Sequence, residues 1–334
     1  MQLRVVEEQL AEIPVLDVGP HFALETLKGA PAHSQALMSL ATRGVPNGAL
    51  KMADAISRRW LEKSGSPHLA EIDEIAAHIR RPGAYFLNVN YEWGCTVGLK
   101  NPANGSSPRL ARVLDWRTPG LGRHVIAARI KGQAGPWVSF TWPGYTGVLQ
   151  AMAPQRFAAA LNQAPMATPV GVMPLDWAVN RRRVWTTGGL TPAHLLRRAF
   201  EEAASYKDAR ALLIATPISA PAIFSLVGLL PNERCVIERL ERSARVREEA
   251  ATAANHWSSG QWSGRPRGQQ SALRAQQMEA AGVELEDAEF AWLTPPMLND
   301  RTRLAFVADP ARGTCIARGY EAGKPATRTL RLAF

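Results

Sequence analysis

Apolar residues recur at helical spacing through the first third of this chain and at alternate positions through much of the remainder. The run Ala36-Leu37-Met38-Ser39-Leu40-Ala41 and the set Ala53, Ile56, Trp60 and Leu61 predict two helices, each with one apolar face. A third helix is predicted over Ala70–Ile79, stopped by the breaker pair in Arg80-Arg81-Pro82-Gly83. Residues 84–90 alternate and carry aromatic and β-branched side chains, which predicts an extended entry into Cys95.

From Cys95 onward the period shortens to two. Strands are predicted at Cys95–Lys100, Leu110–Trp116, His124–Lys131, Trp137–Thr141, Val148–Ala153 and Phe157–Asn162. Turn chemistry at Asn101-Pro102-Ala103-Asn104-Gly105 and at residues 131–136 supports hairpins between them. Thr191-Pro192 then reads as an N-cap followed by a first-turn proline, and helical structure is expected to continue through residues 201–216. Strands return at Ala222–Val227, Cys235–Leu240 and Ala244–Glu248, a helix at about Gln270–Ala281, then strands at Arg303–Asp309, Thr314–Tyr320 and Thr327–Leu332. This order predicts an α+β chain: two packed antiparallel sheets with helices on the outside. No internal repeat is visible, and His256–Gly268, rich in Ser, Gly, Gln and Arg, reads as a long loop at a functional site or an exposed connection.

Composition narrows the functional classes. With 334 residues, 46% of them hydrophobic, the chain is large enough for a substantial core, which excludes a small disulfide-stapled scaffold. Its three cysteines, Cys95, Cys235 and Cys315, show no C-x-x-C spacing, so a reducing compartment and no structural zinc are expected. The first residues mix charge with apolar positions, and no window reaches the length of a membrane span, so a cytoplasmic protein is expected. The net charge of +10 favours contact with anions. Its basic clusters, Arg181-Arg182-Arg183 and Arg197-Arg198, are short and lack interleaved aromatics, so they read as solvated surface and no nucleic-acid partner is expected.

The candidate chemistry centres on Cys95, preceded by Gly94 and followed seventeen residues later by Arg112-Val113-Leu114-Asp115. If the Gly94–Cys95 bond is cut, one residue carries both a thiol and a free α-amine, a nucleophile and a general base together. The amine titrates near ~8, within reach of a thiol proton at neutral pH. Asp115 is expected to orient that amine and Arg112 to stabilise the thiolate, since a hairpin joining the two strands can bring all three together. Alone, a buried cysteine is a small core residue, and Cys235 and Cys315 are read that way. His256 is read as a loop or packing residue, because an α-amine makes a histidine base unnecessary.

The segment Phe86-Leu87-Asn88-Val89-Asn90-Tyr91-Glu92-Trp93-Gly94-Cys95-Thr96, with Arg112 to Asp115 after it, resembles the cysteine N-terminal-nucleophile (Ntn) hydrolases. Within them it is most similar to the branch of acid ceramidase, N-acylethanolamine acid amidase, bile salt (choloylglycine) hydrolase, penicillin V acylase and isopenicillin-N acyltransferase. The resemblance continues over residues 80–320. Residues 144–165 resemble the strand pair ending in an oxyanion-hole asparagine, which places Asn162 in that role, and residues 252–257 place Asn255 in the second. Such donors stabilise a transition state by ~3 kcal/mol each. The last catalytic arginine falls near Arg267, with Arg265 and Arg274 as alternatives. The family's Arg-Asn-x-Asp reads Arg112-Val113-Leu114-Asp115 here, so an asparagine that supports the site is replaced.

The resemblance implies an αββα sandwich, a helical propeptide over residues 1–94, and a catalytic domain over 95–334. The two pieces are expected to stay associated after self-cleavage. It also implies hydrolysis of a linear N-acyl amide through a thioester, without metal or cofactor. An intracellular member of bacterial type is the expected comparison, and a homo-oligomer is compatible with it. An acyltransferase using the same cysteine is the alternative, and a non-catalytic binding relative or basic nucleic-acid binder is a further one. Trp93, Trp116, Trp142 and Trp257, four of the ten tryptophans, lie close to motif residues and are candidates for an acyl pocket.

Overall fold

The computed structural model describes residues 10–89, 93–101, 107–248 and 251–334. In chain order, β1 (Val15–Val18) precedes α1 (Phe22–Gly29), α2 (Pro31–Ala41), α3 (Asn47–Lys63), α4 (Leu69–Ile79) and α5 (Ala84–Val89). Then come β2 (Trp93–Lys100), β3 (Arg109–Trp116), a short 3-10 turn at Leu121–His124, β4 (Ile126–Gly132), β5 (Gly135–Thr141), β6 (Gln150–Ala153) and β7 (Phe157–Gln163). Helices α6 (Met173–Thr187), α7 (Pro192–Glu202) and α8 (Tyr206–Ala215) lead to β8 (Ala222–Val227), β9 (Arg234–Arg239), β10 (Ala244–Arg247) and β11 (Thr252–Ala253). The chain closes with α9 (Ser271–Ala280), β12 (Thr302–Asp309), β13 (Thr314–Glu321), β14 (Lys324–Pro325) and β15 (Leu330–Ala333).

Two sheets face each other. The larger runs β1-β4-β5-β6-β7-β8-β9-β10, and the smaller runs β11-β2-β3-β12-β13-β14 with β15 also on β13. All pairings are antiparallel except β1 with β4. Strands β2 and β3 pack against β7 and β8, helices α1, α7 and α8 cover the far side of the larger sheet, and α9 covers that of the smaller. The result is the four-layered αββα sandwich expected above. Among the described residues, no helix is long and apolar enough to cross a membrane.

The period of two sorts the side chains of β2 and β3. Cys95, Val97, Leu99, Leu110 and Leu114 join the core between the sheets, whereas Ala111 and Val113 join a second cluster beyond the smaller sheet. On the α9 side β2 presents Gly94, Thr96 and Gly98. A Cβ at Gly98 would lie 2.8 Å from Met278 Sδ, so this glycine lets α9 pack close. The strand that holds the candidate nucleophile is thus packed between α9 on one face and β7 and β8 of the larger sheet on the other.

One expectation is corrected. Residues 84–89 form the helix α5, not an extended segment. Its first turn is capped from outside: Asp54 on α3 accepts hydrogen bonds from the Gly83 and Phe86 amides at 2.7 and 2.8 Å. The segment before Cys95 is mainly helical, with one unanticipated strand: β1 joins the larger sheet, in register with β4 from Val15↔Ala127 to Val18↔Ile130. Helices α1 and α6 were not anticipated. α6 has only Asp176 buried and exposes Leu175, Trp177 and Val179, so it lacks the one-sided pattern that marks a helix in sequence. Asn90, Tyr91, Glu92 and most of the turn after Asn101 lie outside the described residues.

Residues on both sides of the 94/95 boundary share one core, in which Phe22, Leu61, Ile72 and Ala84 pack together with residues of β2 to β9. The boundary itself falls inside β2, where Trp93 pairs with Trp116 and Gly94 with Asp115.

Candidate active site

Cys95 is fully buried on the inner face of β2. Across the ladder Val97 pairs with Arg112, which brings the guanidinium diagonally beneath the thiol. Arg112 Nη2 lies 3.0 Å from Cys95 Sγ, and Nη1 donates to Asn162 Oδ1 at 2.9 Å. The Cys95 backbone N–H donates to Asn255 Oδ1 at 2.7 Å.

The two asparagines also lock the strand ends that carry them. Asn162, at the end of β7, donates through Nδ2 to the carbonyls of Ala253 and Ala254 at 3.2 and 3.1 Å. Asn255, just past β11, donates through Nδ2 to the Gln163 carbonyl at 2.8 Å. Gln163 Oε1 in turn accepts the Trp93 amide at 3.1 Å. The Asn255 amide donates to Ser271 Oγ at 2.8 Å, and His256 Nδ1 lies 2.9 Å from the same hydroxyl. His256 thus supports the hydroxyl that holds Asn255.

Asp115 stands three residues from Arg112, and with a period of two this odd spacing puts it on the opposite face, behind Gly94. An ideal Cβ on Gly94 would sit 3.4 Å from Asp115 Oδ2. Thr302 donates to Asp115 Oδ1 at 3.0 Å, placed there by a register shift between Thr302 and Leu304 in the β12–β3 ladder. No hydrogen bond joins Asp115 to the Cys95 nitrogen among the described contacts; Asn255 Oδ1 holds that position.

Arg274 joins the two faces. From α9, its Nη1 donates to the Cys95 carbonyl at 2.8 Å and to Thr96 Oγ1 at 2.7 Å, and lies 3.7 Å from Asp115 Oδ2. Its Nη2 donates to Asn255 Oδ1 at 3.1 Å. Of the three arginines left open by sequence, Arg274 is the one that touches Cys95. Arg267 stands at the wall of the adjoining cavity, donating to the Ala164 carbonyl at 3.0 Å, and Arg265 lines the same cavity.

Electrostatics keep the thiol protonated in the continuous chain. Burial pushes Cys95 up to about 11, Asp115 adds to the rise, and Arg112 and Arg274 pull against it. Burial also raises the Asp115 carboxyl above its usual range and lowers the Arg112 guanidinium. Cys235 and Cys315 are raised by burial too, and no arginine is bonded to Cys315. No group of three or more His, Cys, Asp or Glu side chains among the described residues is arranged to hold a metal.

Two cavities flank the site. One of about 430 Å³ opens beside Gly94 and Asp115. A second of about 610 Å³ reaches Leu161 and Asn162, and both are lined by Trp93, Gln163 and Met166. Sequence reasoning missed Gln163, Ser271 and Thr302. Only Gln163 carried a signal, as the neighbour of Asn162.

An αββα sandwich with a buried Cys-Arg-Asn cluster on its central strands is thus the class of protein that fold and site define. No protein-family profile matches the chain. It is similar to acid ceramidase of Homo sapiens, with 34% identity over 99 residues, which are 30% of this chain and 24% of that protein. The matched stretch spans about a quarter of the length of the curated relatives. Among solved structures, a Caenorhabditis elegans ortholog of N-acylethanolamine-hydrolyzing acid amidase aligns over 72% of this chain and 99% of its own, with 17% identity and a TM-score of 0.48. A mutant of the Clostridium perfringens conjugated bile acid hydrolase aligns over 72% and 92%, with 10% identity and a TM-score of 0.38.

Proposed function

We propose that this chain is the uncut form of an N-terminal-cysteine amidase that processes itself at Gly94–Cys95 and then hydrolyses a linear N-acyl amide. In processing, Cys95 Sγ attacks the Gly94 carbonyl carbon. The C–N bond breaks, the nitrogen takes the thiol proton to become an α-amine, and water releases Gly94 from the resulting thioester. In turnover the substrate carbonyl takes the place of Gly94. The α-amine removes the thiol proton, Arg112 stabilises the sulfur anion, and the second N–H of Asn255 Nδ2 is the side-chain amide donor left for the tetrahedral oxyanion, since both N–H groups of Asn162 are given to the Ala253 and Ala254 carbonyls. The substrate amine leaves with the proton. Water, deprotonated by the same α-amine, then frees the acid and restores the thiol.

The observation that carries this reading is the fully buried Arg112 guanidinium 3.0 Å from the sulfur of a residue that directly follows glycine. A cation there lowers the cost of the thiolate in a site where burial alone opposes it. Arg274 plays the part of the last catalytic arginine in this reading, with Asp115 positioning it. The similarity to acid ceramidase supports amide chemistry.

Intact-mass spectrometry of the purified protein tests the proposal. Two fragments meeting between Gly94 and Cys95 are expected, and a single uncut chain in Cys95→Ala. An unprocessed wild-type chain that still hydrolyses N-acyl amides would sink the mechanism.

A further inference from the structure

The two cavities beside Cys95 differ in how the charges that line them are paired. The larger has an apolar wall of Ala53, Ile56, Trp60, Phe86 and Val89 from the N-terminal helices and Val184 and Trp185 from α6, runs up to Leu161 and Asn162, and is also lined by Arg181, Arg267 and Arg183, the last paired with Glu241. The smaller is lined by four arginines, Arg117, Arg265, Arg267 and Arg301. Asp115 is the one carboxylate lining it among the described residues, and its charge already faces Arg274 and the Thr302 hydroxyl. Arg117, Arg265 and Arg301 make no ion pair with any described residue. Arg117 and Arg301 are brought together by the backbone, where the Trp116 amide donates to the Arg301 carbonyl at 2.8 Å. The cavities share Trp93, Gln163, Met166, Trp177 and Arg267 as walls and Gly94 lines the smaller, so a ligand spanning both passes beside Gly94.

We infer that the site selects an N-acyl amide with an apolar acyl group and an anionic amine half, the anion held by Arg117, Arg265 and Arg301. The inference rests on the amidase reading above and adds the substrate's charge to it. The apolar wall of the larger cavity takes the acyl group by removing it from water. A carboxylate, sulfonate or phosphate a few atoms beyond the amide nitrogen reaches the guanidinium groups, where charge-assisted, bidentate hydrogen bonds are available. A neutral amine half in the same place leaves that cluster of like charges without a counterion.

Two probes with the same acyl chain test this: N-dodecanoylglycine, which carries a carboxylate, and N-dodecanoylethanolamine, which is neutral. Processed wild type is expected to favour the glycine conjugate by about tenfold or more in kcat/KM, as one charge-assisted hydrogen bond would give. Arg117→Gln/Arg301→Gln should narrow that ratio by raising KM for the anionic probe, and Arg117→Lys/Arg301→Lys should restore much of it. Calorimetry on uncut Cys95→Ala reads the same preference without catalysis. Equal turnover of both probes, with a ratio that the double variant leaves unmoved, would overturn the charge selection while the amidase reading stands. Preferential binding of the glycine conjugate to a chain that neither cuts itself nor turns over either probe would refute the amidase reading and keep the charge selection. Binding of both probes with equal affinity by Cys95→Ala would also overturn the charge selection.

Discussion

Spacing along β3 assigns each side chain its work. Arg112 and Leu114 point into the core between the sheets, while Asp115 points toward α9, so the arginine meets the sulfur and the carboxylate meets Arg274. The thiol sits at about 11, so roughly one molecule in ten thousand carries a thiolate at pH 7. If only the thiolate attacks, the proposed self-cleavage should accelerate by up to about tenfold per pH unit from pH 6 to 9. Quantifying the 95–334 fragment over time at each pH checks this, and a flat profile would show that removal of the thiol proton does not limit the step. The arginines give a second expectation. Arg274→Lys keeps the charge but loses the fork that holds Cys95, Thr96 and Asn255, and should slow cleavage by about tenfold or more. Arg267→Lys, at the cavity wall, should alter it by less than about threefold. Cleavage rates from the same assay compare the two.

Among the elements, α5 and α7 contrast a distant cap with a local one. Helix α7 starts as its sequence foretells: Thr191 accepts the His194 amide at 3.1 Å and Pro192 takes the first turn. Helix α5 owes its start to Asp54, twenty-nine residues before Gly83, and no local pattern announces it. Asp54→Ala should therefore cost about 1–3 kcal/mol, measured by urea denaturation, because one buried and one half-buried amide lose their acceptor. A change below about 0.5 kcal/mol would mean that α5 is held by its packing alone. At the other end of the fold, an ideal Cβ on Gly319 would fall 2.0 Å from the Gly122 carbonyl oxygen, so glycine at 319 lets the 3-10 turn lie directly on β13.

Across the whole molecule, residues before and after Cys95 are joined by more than the peptide bond between them. Strand β1 completes the larger sheet, Glu71 pairs with Arg197 at 2.6 Å in the interior, and Asn88 accepts the Thr146 amide and hydroxyl at 2.7 and 2.8 Å. After cleavage the 1–94 and 95–334 fragments should therefore co-elute in native size-exclusion chromatography and separate only in denaturant. The same junction holds two buried histidines, His68 and His194, with ring centroids 4.5 Å apart. Burial lowers both, His194 to about 3 and His68 further, with Arg197 adding to each and His194 and His21 to His68. The folded state thus binds fewer protons than the unfolded one below pH 6.5. Stability is full above that value and falls as the pH drops toward 3, by up to about 1.4 kcal/mol per pH unit for each ring. Urea midpoints from pH 7 to 4 should fall accordingly, and His194→Gln should flatten the slope. An unchanged slope would place the acid sensitivity elsewhere.

Most strands, the helices α2, α3, α4, α7, α8 and α9, and the layered architecture were legible in the sequence, because a period of two or 3.6 and the turn residues between are local properties of the chain. The grouping of Cys95, Arg112, Asn162 and Asn255 was also legible, through motif order. Three things depended on the tertiary structure. Asp54 reached across to make α5 a helix, and β1 found its partner β4 more than a hundred residues away. Helix α9, lying over Gly98, brought Arg274 and not Arg265 or Arg267 into contact with Cys95, and the odd spacing along β3 set Asp115 behind the strand instead of beside the cysteine nitrogen. Each is a contact between segments far apart in sequence, decided by which surfaces the folded layers press together, and no local periodicity encodes that choice.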